Sequence, residues 1–296
     1  MLDDYKKHVD ERAELNIPPL PLDADQTSEL ISLLKEKNND PDYLLNLLKE
    51  RVPAGVDQAA YVKAAFLADI TTGNASSPYI SKIDAVEILG TMLGGYNVEP
   101  LIRCLEIEEL AETASHVLGR TLLIFDAFNE IFELSKKNKY AKKVIEEWAD
   151  AKWFTEKEDI KDQIKLTVFK VSGEINTDDL SPAPDAWSRP DIPLHALAMF
   201  KMPRTGLDDP LGTIEKLKEK GNPLVFVGDV VGTGSSRKSA TNSVLWHMGD
   251  EIPHIPNKKE GGFCFGGKIA PIFFNTLEDS GAFPVECDVS KLNIGQ

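Results

Sequence analysis

Apolar residues in the first half of the chain recur three and four positions apart, the spacing that places them on one face of a helix. Residues 30–34 and 43–48 form two such groups, and proline or glycine clusters separate them from their neighbours. An Ala-rich run begins at Asp57, and Gly73 is a candidate C-cap for it. The same pattern predicts further helices over residues 83–93, 98–105, 108–134 and 140–153.

Short helices joined by short loops predict stacked antiparallel helix pairs over residues 1–157. A loose repeat, of the length found in helical solenoids, fits residues 41–70, 83–105 and 108–140. A plain helical bundle is the alternative arrangement. No cluster of catalytic residue types falls in this half, so we expect it to be a scaffold or a docking surface.

The pattern changes near Thr155, where residues 155–163 are polar and charged and predict a linker or a short final helix. Strands are predicted over residues 166–172 and 224–231. The second strand has too many consecutive apolar residues to leave one face in water, so we expect a mostly parallel sheet in an α/β domain over residues 158–296. The other predicted elements are a helix over 237–249, a strand over 262–265, a helix over 271–278 and a strand over 283–289.

Length and charge set the broad class of protein. At about 150 residues per domain, 296 residues predict two domains. Apolar residues make up 42% of the chain, which supports a packed core and excludes wholesale disorder. The 33 Lys and Arg residues against 48 Asp and Glu residues give a net charge of −15. This charge argues against nonspecific binding to nucleic acid, because phosphates repel an acidic surface.

The three cysteines, Cys104, Cys264 and Cys287, are far apart and odd in number. They predict neither a disulfide framework nor a C-x-x-C metal site, so we expect no metal in this chain and a reducing, cytoplasmic location. The acidic, amphipathic start is not a signal peptide. No run of about 18 apolar residues is present, so we expect no membrane partner.

Candidate chemistry is concentrated in residues 228–240, GDVVGTGSSRKSA. A buried strand ends there, Gly232 and Gly234 allow a tight turn, and a helix begins. Ser235 and Ser236 stand at N-cap positions, and Arg237 adds a cation beside the positive end of the helix, which predicts an anion site. The segment departs from the phosphate-binding loop and from the dinucleotide fingerprint. A Gly-rich turn with a solvent-facing arginine is the alternative.

A second polar segment, residues 173–193, follows the first strand and contains Asp178 and Arg189. Two arginine loops close together would form a pocket for a substrate with several carboxylates. A turn-rich surface loop is the alternative. His195 and His254 lie near prolines and have no evident partner, so we expect them to be solvated.

These two segments, in an α/β half that follows a helical half, resemble the bacterial aconitase B family. The residues from Gly234 to Arg237 resemble the Gly-Ser-Ser-Arg motif in the swivelling domain of aconitases and isopropylmalate isomerases. The segment from Thr177 to Arg189 resembles the Thr-Asp…Arg loop of the same domain. The resemblance implies a HEAT-like α-solenoid over 1–157 and an α/β aconitase swivel domain, truncated at its C-terminal end, over 158–296.

The resemblance implies part of an aconitate hydratase, a hydro-lyase of the tricarboxylic acid cycle that interconverts citrate and isocitrate through cis-aconitate. 2-Methylisocitrate remains open as a second substrate. By motif position, Ser235 would be the base that removes a carbon-bound proton. Arg189 and Arg237 would bind substrate carboxylates, and Ser236 would assist them. Asp178 matches the family's loop aspartate as a substrate-binding residue, with its role left open.

The family's reaction uses a [4Fe–4S] cluster held by three cysteines, two of them in a C-x-x-C pair. This chain has no such pair, so we expect the cluster in aconitase domains beyond Gln296 of a longer protein. We therefore expect the chain alone to be catalytically silent.

Other classes of function remain open. The chain could be a non-catalytic interaction module whose helical half docks a partner or forms a homodimer. The resemblance also implies binding to mRNA, against which the net charge argues. An isopropylmalate isomerase small subunit has the same Gly-Ser-Ser-Arg loop but lacks a long helical front, so residues 1–155 argue against it.

Overall fold

The first half of the chain is helical, as the spacing of its apolar residues predicts. The computed structural model describes residues 2–121, 125–156 and 161–296. The helices of the first half are α1 (Leu2–Ala13), α2 (Ala24–Leu34), α3 (Pro41–Asn46) with a π turn (Leu47–Arg51), α4 (Gln58–Thr72), α5 (Lys82–Gly90), α6 (Val98–Cys104), α7 (Ala111–Gly119), α8 (Phe125–Ser135), α9 (Lys139–Ala149) and α10 (Lys152–Thr155).

Local capping explains where these helices begin and end. Asp23 and Gln26 form a capping box at the start of α2, and Ser81 and Asp84 form one at the start of α5. Gly73 ends α4 with a φ of 81°, which confirms the predicted C-cap. Two predicted helices are each divided. Residues 108–134 contain α7 and α8, with residues 122–124 outside the described part, and residues 140–153 contain α9 and the start of α10.

The second half is an α/β domain built on a parallel sheet. Its elements are β1 (Thr167–Asn176), α11 (Thr177–Leu180), a 3₁₀ helix (Ala183–Ser188), α12 (Ile192–Ala196), α13 (Pro210–Lys218), β2 (Leu224–Thr233), α14 (Arg237–Met248), β3 (Asp250–Glu251), β4 (Lys259–Glu260), β5 (Phe263–Ile269), α15 (Pro271–Asp279) and β6 (Phe283–Glu286). The order β1-β2-β5-β6 is parallel throughout, and β3 pairs with β4 in a separate antiparallel ribbon.

Both faces of β2, an interior strand of the sheet, are buried, as its unbroken apolar run predicts. Phe226 packs into one apolar cluster together with Phe169 and Phe273. Val225 and Val227 point the other way and pack with Val289. Because alternate side chains of β2 enter different clusters, the strand needs apolar residues at successive positions.

Residues 173–193, the second polar segment, contain more regular structure than a turn-rich surface loop would have. Strand β1 continues to Asn176, whose side chain forms a capping box with Asp179 and starts α11 directly. Asp191 then caps α12, which has Pro193 in its first turn. The predicted strand over 283–289 ends at Glu286, so Cys287 lies just beyond it.

The described residues divide into two compact units. One consists of Met1–Lys7, Leu20–Ile160 and Pro253–Pro256. The other consists of His8–Pro19, Lys161–Ile252 and Asn257–Gln296, so it includes a short N-terminal segment as well as the α/β half. The predicted domain boundary between residues 157 and 158 lies outside the described residues. Across those described residues, no helix has the length and apolar content that a bilayer span requires.

Candidate functional site

The Gly-rich turn after β2 depends on backbone geometry that glycine favours. Gly232 and Gly234 have φ values of 80° and 109°. A Cβ atom on Gly234 would also collide with the hydroxyl of Thr177 and the side chain of Asn176. The turn therefore brings the end of β2 against the start of α11, which follows β1 in the chain.

Ser236 is the N-cap residue of α14, but its side chain caps no backbone N–H. Its own N–H donates to Thr177 Oγ1 at 3.2 Å, and its carbonyl accepts from Ala240 N–H at 3.0 Å. The Ser236 hydroxyl is therefore available to a partner other than the backbone of α14. The first turn of α14, which begins at Arg237, also places unpaired N–H groups and the positive helix end at this position.

Arg189 reaches the same turn from a different segment. It follows the 3₁₀ helix, and its Nη2 donates to Ser236 Oγ at 3.1 Å and to the Ser181 carbonyl at 3.4 Å. Its buried Nε has no hydrogen-bond partner within the part of the chain that the structure describes. A cation from one loop is thus held against a hydroxyl group on the Gly-Ser-Ser-Arg turn, an arrangement suited to binding an anion.

The other predicted site residues lie close in sequence to this contact. Ser235 is exposed and Arg237 is half-buried, and they are the two chain neighbours of Ser236. Asp178 is exposed in α11, where its N–H donates to Asn176 Oδ1 at 2.9 Å. The structure thus brings Arg189 and Ser236 into direct contact. The roles of Ser235, Arg237 and Asp178 stay predictions.

The expectation that His195 is solvated is wrong. Its side chain lies in α12, and the residue is only 2% exposed. Its Nε2 is 2.7 Å from Ser181 Oγ, and its Nδ1 is 2.8 Å from Ser188 Oγ. The helix packs against α14, which buries the ring. The Asp-x-Pro start of α12 at Asp191 is the sequence signal that indicates this helix.

Burial lowers the pKa of His195, and the positive charge of Arg189 lowers it further, against a smaller opposing effect of Asp185. The ring is therefore neutral at pH 7. Ser188 Oγ donates its hydrogen to the Asp185 carbonyl at 2.7 Å, so it faces Nδ1 as an acceptor. Ser181 Oγ donates its hydrogen to Ser239 Oγ at 2.7 Å, so it too faces the ring as an acceptor, and a neutral ring donates to one of the two serines at a time.

His254 also has a partner, contrary to expectation. Its Nδ1 lies 2.8 Å from Glu50 Oε1, and its backbone N–H donates to Glu50 Oε2 at 3.1 Å. The residue has a φ of 64°, a left-handed conformation. These contacts belong to the helical unit and not to the candidate site.

A second contact that the sequence does not reveal supports the Arg189 segment. Asp191, two residues beyond Arg189, accepts hydrogen bonds of 2.5 and 2.9 Å from the two Nη atoms of Arg12. Asp191 Oδ1 also accepts from Leu194 N–H at 3.4 Å and so caps α12. Both charged side chains are largely buried, at 9% and 15% exposed.

An open depression of about 520 Å³ lies elsewhere, beside the ends of β2, β5 and β6. Asp229, Glu286 and Asp288 are among its lining residues, with Lys268 as a cation. It contains none of the predicted site residues. Its mainly acidic lining disfavours a substrate with several carboxylates.

The cysteines do not fit an iron–sulfur cluster. Burial raises the pKa of Cys104 and raises that of Cys264 to about 12, so both thiols stay protonated, whereas Cys287 is exposed. Within residues 2–121, 125–156 and 161–296, no group of three or more His, Cys, Asp or Glu side chains is placed to hold a metal ion.

Comparison with known proteins gives matches over both halves. A family model described as "Aconitate B N-terminal domain" matches residues 4–154, and one described as "Aconitate hydratase 2 N-terminus" matches residues 166–296. Aconitate hydratase B from Escherichia coli K12 is 59% identical over 304 residues, covering 100% of this chain and 35% of the relative. The Synechocystis protein of the same name is 58% identical, with 100% and 34% covered, and that of Helicobacter pylori is 51% identical, with 99% and 34% covered. The chain thus spans about a third of the length of these curated relatives.

Proposed function

Because this chain belongs to the aconitate hydratase B family, we propose that it forms part of an aconitate hydratase, a hydro-lyase that interconverts citrate and isocitrate through cis-aconitate. The observation that supports this best is the 3.1 Å hydrogen bond from Arg189 Nη2 to Ser236 Oγ. Two segments that are far apart in the chain thereby form one anion-binding edge. The reaction belongs, in this proposal, to the tricarboxylic acid cycle.

Each residue at this edge has a role that its placement supports. Arg189 and Arg237 bind substrate carboxylates, with their forked N–H groups matching the two carboxylate oxygens. Ser236, already bonded to Arg189, donates its free hydroxyl hydrogen to the substrate. Ser235 Oγ removes the carbon-bound proton, and the N–H groups at the start of α14 stabilise its alkoxide. Asp178 follows Thr177, whose hydroxyl accepts from Ser236 N–H, and assists binding from there.

An iron–sulfur cluster, when bound, polarises the hydroxyl group that leaves the substrate. The thiols of this chain do not fit such a cluster, so we propose that residues outside these 296 hold it. Cytoplasmic location is part of the same proposal and rests on the scattered free cysteines.

The helical half is, in this proposal, a HEAT-like domain. Helix α2 packs on α4, α4 on α5, α5 on α7, and α7 on α9, which supports a stack in which each helix packs on the next helix or the next but one along the chain. The limits of the two family matches, at residues 154 and 166, support a boundary between 157 and 158. The names of the relatives favour neither an isomerase subunit nor an interaction module. No comparison supports a homodimer or mRNA binding.

A chimera tests this function in a whole active site. The matching third of the Escherichia coli relative is replaced by this chain. Formation of cis-aconitate from citrate and isocitrate, and of 2-methyl-cis-aconitate from 2-methylisocitrate, is followed by ultraviolet absorbance. We expect turnover of citrate and isocitrate, and a loss of about 10³-fold or more in kcat for Ser235→Ala with little change in citrate affinity. The matched control is Ser32→Ala, an exposed serine on α2. A folded, cluster-containing chimera without turnover would contradict the proposal.

A further inference from the structure

The two ring nitrogens of His195 bond to Ser181, which precedes the 3₁₀ helix, and to Ser188, which is its last residue. Ser188 is the residue directly before Arg189, and Ser181 is eight positions before it. The imidazole therefore closes a loop from Ser181 to His195 and fixes its two ends. The ring is 2% exposed, so water does not compete for these bonds.

Ser181 connects this loop to the other half of the site. Its Oγ lies 2.7 Å from Ser239 Oγ on α14, and Ser239 Oγ lies 3.1 Å from the carbonyl of Ser236. The carbonyl of Ser181 is in turn 3.4 Å from Arg189 Nη2. One residue thus contacts the imidazole, the α14 helix and the guanidinium group.

We propose that His195 is a positioning residue for Arg189, acting through Ser181 and Ser239 to hold the guanidinium group against Ser236. The inference rests on the proposed function for its effect on substrate, but the placement of Arg189 is measurable without substrate. Two charged groups face the ring, Arg189 and Asp185, and Lys201 pairs with Asp185 at 2.8 Å. The charge beside the ring is therefore partly balanced, which favours a neutral ring.

Two substitutions separate the two ring bonds. The amide of Gln reaches the place of Nε2, whereas the amide of Asn reaches only the place of Nδ1. His195→Gln therefore keeps a hydrogen-bonding amide beside Ser181, and His195→Asn keeps only the bond to Ser188. The matched control is His247→Gln on α14, because His247 is also buried, at 7% exposed, but its Nε2 bonds to the Ala196 carbonyl at 3.1 Å.

The experiment uses the 296-residue chain with labelled arginine and histidine. Citrate affinity is measured by calorimetry, and the guanidinium N–H resonances of Arg189, assigned by their loss in Arg189→Lys, are measured by NMR. We expect His195→Asn to weaken citrate binding about fivefold to tenfold and to speed solvent exchange of the Arg189 resonances. His195→Gln should stay close to the parent chain, and His247→Gln should lower thermal stability without changing either signal.

Each result decides the inference. If His195→Asn is folded and leaves both the Arg189 resonances and citrate affinity unchanged, the inference is wrong. If His195→Asn does not fold, Ser239→Ala replaces it, and unchanged Arg189 resonances in that variant would equally overturn the inference. If the parent chain binds no citrate, the proposed binding role fails, whereas the exchange of the Arg189 resonances still decides the positioning role.

Discussion

Arg12 binds the carboxylate of Asp191 through two hydrogen bonds, of 2.5 and 2.9 Å, although 179 positions separate the two residues. The Arg12 Nε atom also donates to the Pro18 carbonyl at 2.8 Å. An N-terminal segment is thereby attached to the residue that caps α12, two positions beyond Arg189. Because both charges are largely buried, each depends on the other.

We expect Arg12→Gln to lower the free energy of unfolding of the second unit by about 3 kcal/mol, because the Asp191 carboxylate is left buried and unpaired. The change is measured by urea unfolding. The control is Arg103→Gln, which breaks an exposed ion pair with Glu99 and should cost no more than about 0.5 kcal/mol. A double-mutant cycle with Asp191→Asn should show strong coupling. Additive effects would mean that the pair contributes nothing.

We expect Gly234→Ala to reduce both stability and citrate affinity. The new methyl group collides with Thr177 and Asn176, and the φ of 109° strains any residue other than glycine. The control is Gly73→Ala, where φ is 81° but the space around the Cβ position is open, so about 1 kcal/mol of backbone strain remains. Calorimetric titration and thermal unfolding measure the two effects. Equal losses in the two variants would show that the collision is relieved at no cost.

We expect the chain to lose stability in acid because His247 is buried. Burial lowers its pKa from 6.5 to about 4, so below pH 6.5 the unfolded chain binds a proton that the folded chain does not. The contribution of His247 to the free energy of unfolding is therefore fully present above pH 6.5. It falls as the pH drops toward 4, by about 3 kcal/mol in all. The difference in unfolding free energy between the parent chain and His247→Gln should shrink between pH 7 and pH 4.5. A difference in unfolding free energy that stays constant over this pH range would contradict the lowered pKa of His247.

Elements with a strong local signal could be predicted from the sequence. The unbroken apolar run of β2, the helix α14 after it and the Gly73 cap each depend on residues within a few positions of one another. The Gly-Ser-Ser-Arg turn belongs to the same class, since its glycines and its helix start are adjacent. The sequence indicated that a second arginine segment close to this turn would form an anion pocket, and in the structure Arg189 contacts Ser236, whereas the roles of the site residues stay predictions.

Features that depend on distant partners could not be predicted. His195 is buried because α12 packs against α14, and it bonds to Ser181 and Ser188. Its neighbours in sequence are mostly apolar residues or proline, and they do not indicate these partners. The residues around Arg12 and around Asp191 contain no sequence pattern that would predict this ion pair. Helix α13, in contrast, has a local start signal in the sequence, Asp209 followed by Pro210.

The pairing of β1 with β2 has a consequence for synthesis on the ribosome. Thr167 aligns with Leu224, so the first strand emerges and waits while the whole intervening stretch is translated. During that delay the apolar strand β1 lacks the partner strand β2 for its backbone hydrogen bonds, and the anion-binding edge cannot form. Such late, non-local pairing slows folding and leaves the nascent chain exposed to aggregation for longer.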